Sequence, residues 1–209
     1  MRRRLAVAVI AIACLVAGCA GGGKKAVSPP TNDGPAQTVL AIGGSATEGD
    51  GIPDRLHNAW PYRVFHDAFP RATTFVNGAI DDATAANALS LQVPLAAELK
   101  PDVVELWLGA DDITSGTSPA AFESGLANVV DALHADGAKR ILVADLPFAY
   151  GAQVPAFNDA IHQVAQRSGA DLASLASAKV ALTGGGTAEP DAASQPVIAA
   201  AFSRQLQGP

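Results

Sequence analysis

Ser45 ends the run Val39-Leu40-Ala41-Ile42-Gly43-Gly44 and opens Ala46-Thr47-Glu48-Gly49. A short aliphatic segment that stops in glycines and delivers a serine is the local pattern of a nucleophile on a strand-to-loop turn. Such a hydroxyl needs a base within reach and donors for the oxyanion that its attack creates. The chain offers four histidines, and none follows His162. His134, beside Asp136-Gly137, reads as a solvated cation at a helix end. His162 sits in mid-helix on an outward face, and His66 lies in the amphipathic segment Trp60–Phe69 as a surface residue. His57 follows the Ser45 loop most closely and is the one substitute base among them, although a loop or helix-start histidine is the simpler description. The pairs Asp81-Asp82 and Asp111-Asp112 have no histidine or cysteine to support a metal; they read as solvated or helix-capping acids, and no metal or cofactor is expected. Trp60 and Trp107 read as core or cleft lining. Gly184-Gly185-Gly186 is a flexible turn that lacks the Lys-Ser/Thr of a phosphate loop.

The elements that must hold these residues are legible as apolar periodicity. Strands are expected at Thr38–Ile42, Thr73–Val76, Val103–Leu108 and Arg140–Ala144, each short, continuous and aliphatic, with a weaker fifth at Asp171–Leu175. Ser118 is the expected N-cap of a helix with Pro119 at its first position, Phe122, Leu126, Val129, Val130 and Leu133 on one face, and Gly137 as its stop. Pro155 opens another helix, with Phe157, Ile161 and Val164 aligned and Gly169 after it; Ile198, Phe202 and Leu206 line a last one. Strand and helix in alternation imply a parallel three-layer α/β domain, whose ligands bind beyond the C-terminal strand ends. Ser45, Asn77 and Asp111 all follow strand ends and are expected to meet there.

The N-terminus carries an address. Arg2, Arg3 and Arg4 precede the apolar stretch Leu5–Val16, which is too short to span a bilayer comfortably. Leu15-Val16-Ala17-Gly18-Cys19 resembles a bacterial lipobox, and that resemblance implies cleavage before Cys19 and its lipidation. The expected organisation is a signal peptide over 1–18, a lipidated Cys19 with a Gly/Pro-rich tether over 19–37, and a folded domain over 38–209. Cys14 would leave with the signal, so disulfides and thiolate metal sites are excluded from the folded part. Loss of residues 1–18 takes the formal charge from −6 to −9. So acidic a domain is a poor partner for nucleic acid, and membrane contact is expected through the lipid, on the extracytoplasmic face. Of 209 residues, 49% are hydrophobic but only 5% aromatic, so the core must be mainly aliphatic.

In order and spacing, the segments around these residues resemble the SGNH (GDSL-type) hydrolases, serine esterases and acyl hydrolases with a flavodoxin-like sheet. Gly43–Gly49 resembles the block Gly-Asp-Ser-Leu-x-x-Gly, Asn77–Thr84 resembles Asn-x-Gly-x-x-Gly-Ala-Thr, and Pro101–Asp112 resembles the block ending in Gly-x-Asn-Asp. The resemblance covers Thr38–Leu206 and implies Ser45 as nucleophile, with oxyanion donors at Ser45, Ala79 and the position of Asp111. Five positions depart from the family pattern. The aspartate before the nucleophile is Gly44, the oxyanion glycine is Ala79, and the oxyanion asparagine is Asp111, which could donate only if protonated. Within Gly186-Thr187-Ala188-Glu189-Pro190, Gly186 stands at the family's aspartate position and Glu189 at its histidine position.

Two expectations follow. One is a cell-surface serine esterase or acyl hydrolase, a monomer acting on a small-molecule or envelope acyl ester, whether or not impaired by these departures. The other is a catalytically silent lipoprotein of the same fold that binds an acylated or glycan ligand.

Overall fold

The computed structural model describes residues 33–183 and 189–207. The expected signal peptide, Cys19, most of the tether and Gly186 lie outside the described residues.

Five parallel strands form one sheet: β1 (Thr38–Gly43), β2 (Thr74–Asn77), β3 (Val103–Trp107), β4 (Arg140–Ala144) and β5 (Asp171–Ala173), in the spatial order β2-β1-β3-β4-β5. This is the doubly wound order of flavodoxin-like folds, as expected, and the strand order reverses beside β1. The register sets Ala41 against both Asn77 and Glu105, and Gly43 against Trp107. The C-terminal ends of β1, β2 and β3 therefore open on one rim.

Nine helices connect the strands among the described residues: α1 (Ser45–Glu48), α2 (Arg55–Asn58), α3 (Trp60–Ala68), α4 (Ala85–Leu91), α5 (Pro94–Leu99), α6 (Ala110–Thr114), α7 (Pro119–Ala135), α8 (Val154–Ser168) and α9 (Gln195–Leu206). None is long and apolar enough to cross a membrane. α3 packs on α9, whereas α4 packs on α7 and α7 on α8, giving the two outer layers. The Ser118 hydroxyl accepts the Ala121 N–H at the start of α7, with Pro119 behind it, and Gly169 takes φ 75° where α8 stops.

Several of the few aromatic residues sit between layers. Trp60 is stacked on Phe202 at 4.2 Å and meets the edge of Trp107 at 6.0 Å; Phe122 meets Phe157 at 4.8 Å in the opposite layer. Trp60 and Trp107 are thus core residues, buried at 0% and 3% exposure. Side chains alternate across a strand, so Glu105 shares the Trp107 face of β3. It is fully buried, neither carboxyl oxygen has a hydrogen-bond partner, and burial pushes its pKa well above the usual carboxylate range.

Candidate active site

β1 ends at Gly43, whose N–H and carbonyl are both gripped by a side chain from the β2–β3 connection. Buried Gln92 accepts the Gly43 N–H through Oε1 and donates Nε2 to the Gly43 carbonyl, both at 2.9 Å. The chain then turns through Gly44 into the single turn α1, whose first residue is Ser45, at 1% exposure. Asn77, at the end of β2, braces this turn by donating Nδ2 to the Thr47 carbonyl at 3.0 Å. Ser45, Asn77 and Asp111 therefore do meet at the rim.

Asp111 faces Ser45 directly. Its Oδ2 accepts the Ser45 N–H at 3.2 Å, and its Oδ1 accepts the Ser45 hydroxyl at 3.3 Å. The side chain at the family's oxyanion-donor position is thus an acceptor here, and it occupies the very N–H that would serve an oxyanion. Gly44 makes this arrangement fit: a Cβ there would lie 2.8 Å from Asp111 Cγ and within its carboxylate. Asp111 and its neighbour are buried, at 8% and 1% exposure, rather than solvated. Asp112 Oδ2 accepts the Ala85 N–H at 3.0 Å, so it serves the start of the earlier helix α4 and not, as expected of a capping acid, the helix that follows it. Burial lifts both carboxyls to a pKa of about 6, against the pull of the N–H groups they accept; the charges of Asp82 and Asp112 raise Asp111 further.

The second expected donor is elsewhere. Ala79 turns its N–H to Asn77 Oδ1 at 3.1 Å. The N–H that reaches Ser45 Oγ belongs to Asp82, at 2.8 Å. Asp82 has φ 54°, a left-handed conformation that aspartate tolerates better than most residues. The sequence carried a signal for it, since Asp82 stands at the second glycine of the Asn-x-Gly-x-x-Gly pattern. Gln92 had no such signal, because its grip on Gly43 spans 49 residues.

Glu189, which stands at the family's histidine position, is buried. It is 6% exposed and its Oε2 has no hydrogen-bond partner. Burial, and then the charges of Asp111, Asp50, Asp81 and Asp82, bring its pKa to about 7. Tyr150 joins the group from the 3₁₀ turn after β4. Its hydroxyl is buried without a partner, and burial, Glu189 and Asp111 together hold its pKa well up.

The histidines stay apart from Ser45. His57 pairs with Asp54 at 2.9 Å and lies against Tyr62, so it fills no base position. His66 pairs with Asp67 at 2.7 Å, and exposed His134 closes the last turn of α7. His162 faces outward on α8 and reaches Asp145 at 3.0 Å; the same carboxylate accepts the Ala176 N–H at 2.8 Å. Among the described residues no group of three or more acids, histidines or cysteines could hold a metal ion.

A model of the GDSL-like lipase/acylhydrolase family matches residues 41–196. The chain belongs to that family. Over 126 residues it is 31% identical to the esterase TesA of Pseudomonas aeruginosa, spanning 58% of this chain and 61% of that enzyme. A TesA crystal structure superposes with a TM-score of 0.68 at 26% identity, covering 82% of this chain and 98% of that one. The psychrotrophic esterase EstA from Pseudoalteromonas sp. gives the same TM-score at 20% identity, over 82% and 97% of the two chains, a likeness of fold alone. In this chain Ser45 contacts a carboxylate where the family's sequence pattern has an amide.

Proposed function

We propose that this GDSL-family member is a serine ester hydrolase in which Asp111 replaces the histidine as general base. The observation that carries this reading is the hydrogen bond from the Ser45 hydroxyl to Asp111 Oδ1, on a carboxyl with a pKa of about 6. A base titrating near neutrality can both accept and return a proton.

The steps follow from the contacts. Ser45 Oγ attacks the ester carbonyl carbon as its proton passes to Asp111 Oδ1. The carbonyl electron pair moves to oxygen beside the Asp82 N–H. Once Asp111 is neutral it is a weaker acceptor for the Ser45 N–H, which becomes available to the oxyanion as the charge appears. The tetrahedral intermediate collapses, Asp111 gives its proton to the leaving alkoxide, and the acyl group stays on Ser45. Water then attacks the acyl-serine with Asp111 taking its proton; the acid departs and the proton returns to Ser45 Oγ.

The test is Asp111→Asn, which installs the family's usual residue. Loss of the base lowers turnover of short acyl esters by about 10²–10⁴-fold, and Ser45→Ala abolishes both turnover and labelling by a fluorophosphonate. Wild-type protein that neither turns over esters nor labels, but gains activity on Asp111→Asn with an Asp-x-x-His segment at 186–189, would instead support the silent, ligand-binding alternative.

The same reading includes a lipid anchor at Cys19 that holds a monomer on the extracytoplasmic face. Gln37 leads into the N-terminal end of β1 and Ser45 follows its C-terminal end. A strand of this length spans about 20 Å, so the tether joins the domain at the end of β1 opposite Ser45. Cys19→Ala moves the protein out of the membrane fraction if the anchor is correctly assigned.

A further inference from the structure

α6 opens on two consecutive buried acids that reach in different directions. Asp111 takes Ser45. Asp112 reaches back 27 residues to the first residue of α4, where its Oδ2 accepts the Ala85 N–H at 3.0 Å. That helix already has its own N-cap, since the Thr84 hydroxyl accepts the Asn87 N–H at 3.3 Å. The carboxylate is therefore a second anchor, supplied by another element. Asp112 is itself held, because its carbonyl accepts the Thr117 N–H at 2.9 Å and the Ser115 hydroxyl at 3.1 Å. α7 approaches Ala85 as well, at Gly125, where a Cβ would lie 3.1 Å from Ala85 Cβ.

Three residues before this anchor stands Asp82, whose N–H meets Ser45 Oγ at 2.8 Å. The same N–H has a competing acceptor, Asp81 Oδ1 at 3.1 Å. A small rotation of the turn is enough to trade one oxygen for the other. At the upstream end, Ile80 donates its N–H to the Gly43 carbonyl at 3.2 Å, and the Ala83 N–H closes the turn on the Ile80 carbonyl at 3.2 Å. Asp82 is left-handed, with φ 54°, a state that a non-glycine residue keeps only where its surroundings fix it. β1 fixes one end of the turn and Asp112 the other.

We propose that Asp112 is a positioning residue for the oxyanion donor: by holding the Ala85 N–H it keeps the 80–83 turn where the Asp82 N–H points at the Ser45 oxygen and not at Asp81. The two adjacent acids then have separate tasks. Asp111 meets the nucleophile, Asp112 aims the donor, and one turn of α6 fixes the spacing between them. A donor that must meet a charge as it forms has to be in place beforehand, and a displacement of about 1 Å can cost a large part of its effect. The proposal rests on the ester-hydrolase reading for its kinetic consequence and not for its geometry.

The test compares Asp112→Ala with Asp112→Asn, which keeps a carbonyl oxygen for the Ala85 N–H. The substrate is p-nitrophenyl acetate at pH 8, above the Asp111 pKa of about 6. Asp112→Ala is expected to lower kcat and kcat/KM together by about tenfold or more, with KM within about twofold of wild type, and Asp112→Asn to recover most of that loss. An unchanged kcat in Asp112→Ala, or an asparagine variant as impaired as the alanine one, overturns the proposal and leaves the esterase reading standing. A second measurement needs no turnover. Ser45→Ala removes the acceptor of the Asp82 amide and shifts its proton resonance; in an Asp112→Ala background the same change is expected to shift it less than half as far. Equal shifts in the two backgrounds overturn the proposal. Should the ester not be hydrolysed and Ser45 resist phosphonate labelling, the esterase reading fails and the amide shift alone decides the positioning role. Circular dichroism checks that Asp112→Ala folds. If it does not, Ala85→Pro removes the same N–H at a first helical position, after a Thr84 that is already extended at φ −77° and ψ 169°. That variant must then show the same fall in kcat and the same loss of shift, and an unimpaired Ala85→Pro overturns the proposal.

Discussion

Gly44 and Asp111 share one space: the volume that a Cβ on Gly44 would fill is taken by the Asp111 carboxylate bonded to Ser45. Two of the chain's departures from its family pattern are thus one structural event. The lost side chain before the nucleophile makes room for the acid that reaches it.

The pair is expected to behave as a coupled unit. Gly44→Ala pushes Asp111 off Ser45, lowering ester turnover to the level of Asp111→Asn and costing about 1–3 kcal/mol by overpacking. In an Asp111→Ala background the same change meets far less resistance. A double-mutant cycle by chemical denaturation should return a coupling energy of about 1 kcal/mol or more; additive costs would refute the shared space.

The pH dependence of turnover should follow Asp111. Its carboxyl acts as a base only when ionised, so kcat/KM rises with pH through about 6, where its pKa lies. Asp112→Asn removes a neighbouring charge that raises this value and should move the limb to lower pH. An unmoved limb would assign it to another group.

Stability should run the other way. Asp111 and Asp112, at about 6, and Glu189, at about 7, are raised in the folded protein above their ordinary values of 3.8 and 4.5. The folded state therefore holds more protons than the unfolded one between about pH 4 and 7. The stability they contribute is full below the unfolded pKa and is lost as pH rises through the folded pKa. A tenfold difference in proton affinity between the two states corresponds to about 1.36 kcal/mol, so a loss on the order of a few kcal/mol is expected across that window. Asp102, held low by Lys139, acts below it. Thermal melts at pH 5 and pH 8 measure this, with the higher Tm expected at pH 5.

Gln92→Ala should disturb the site from a distance. It removes the side chain that satisfies both the N–H and the carbonyl of Gly43. Two buried backbone groups left unpaired cost about 1–3 kcal/mol each. Turnover should fall along with Tm, because Ser45 lies two residues further on. Gln92→Glu, which keeps an acceptor for the N–H, should fall between wild type and alanine in a denaturant titration.

Glu105 offers a contrasting substitution. A buried carboxyl with no partner for either oxygen gains nothing from its polarity. Glu105→Leu is therefore expected to hold or raise Tm, with a widening advantage over wild type at alkaline pH. A loss of several kcal/mol would mean that Glu105 has a partner, such as an ordered water.

The five strands, the main helices and the family blocks were legible in the sequence because they are local. Aliphatic runs, Ser118-Pro119, Gly169 and the spacing around Ser45 each sit within one element, where side-chain period and backbone preference act directly. The correspondence of Glu189 to the family's histidine position was also readable, from its spacing to the final helix. Relationships across the sheet were not: Asp111 reaches Ser45 across 66 residues, and Gln92 reaches Gly43 across 49. Whether Asp111 meets water or a serine depends on the approach of β3 to β1, which no local pattern records. The N–H that meets Ser45 Oγ is that of Asp82 and not Ala79 for a related reason, since the direction of an N–H is set by a left-handed backbone angle. Sequence alone thus determined the fold, the family, the serine at the family's nucleophile position and the loss of the family's histidine. The tertiary structure alone decided what faces that serine, because burial and the meeting of distant strand ends hold a carboxylate against Ser45.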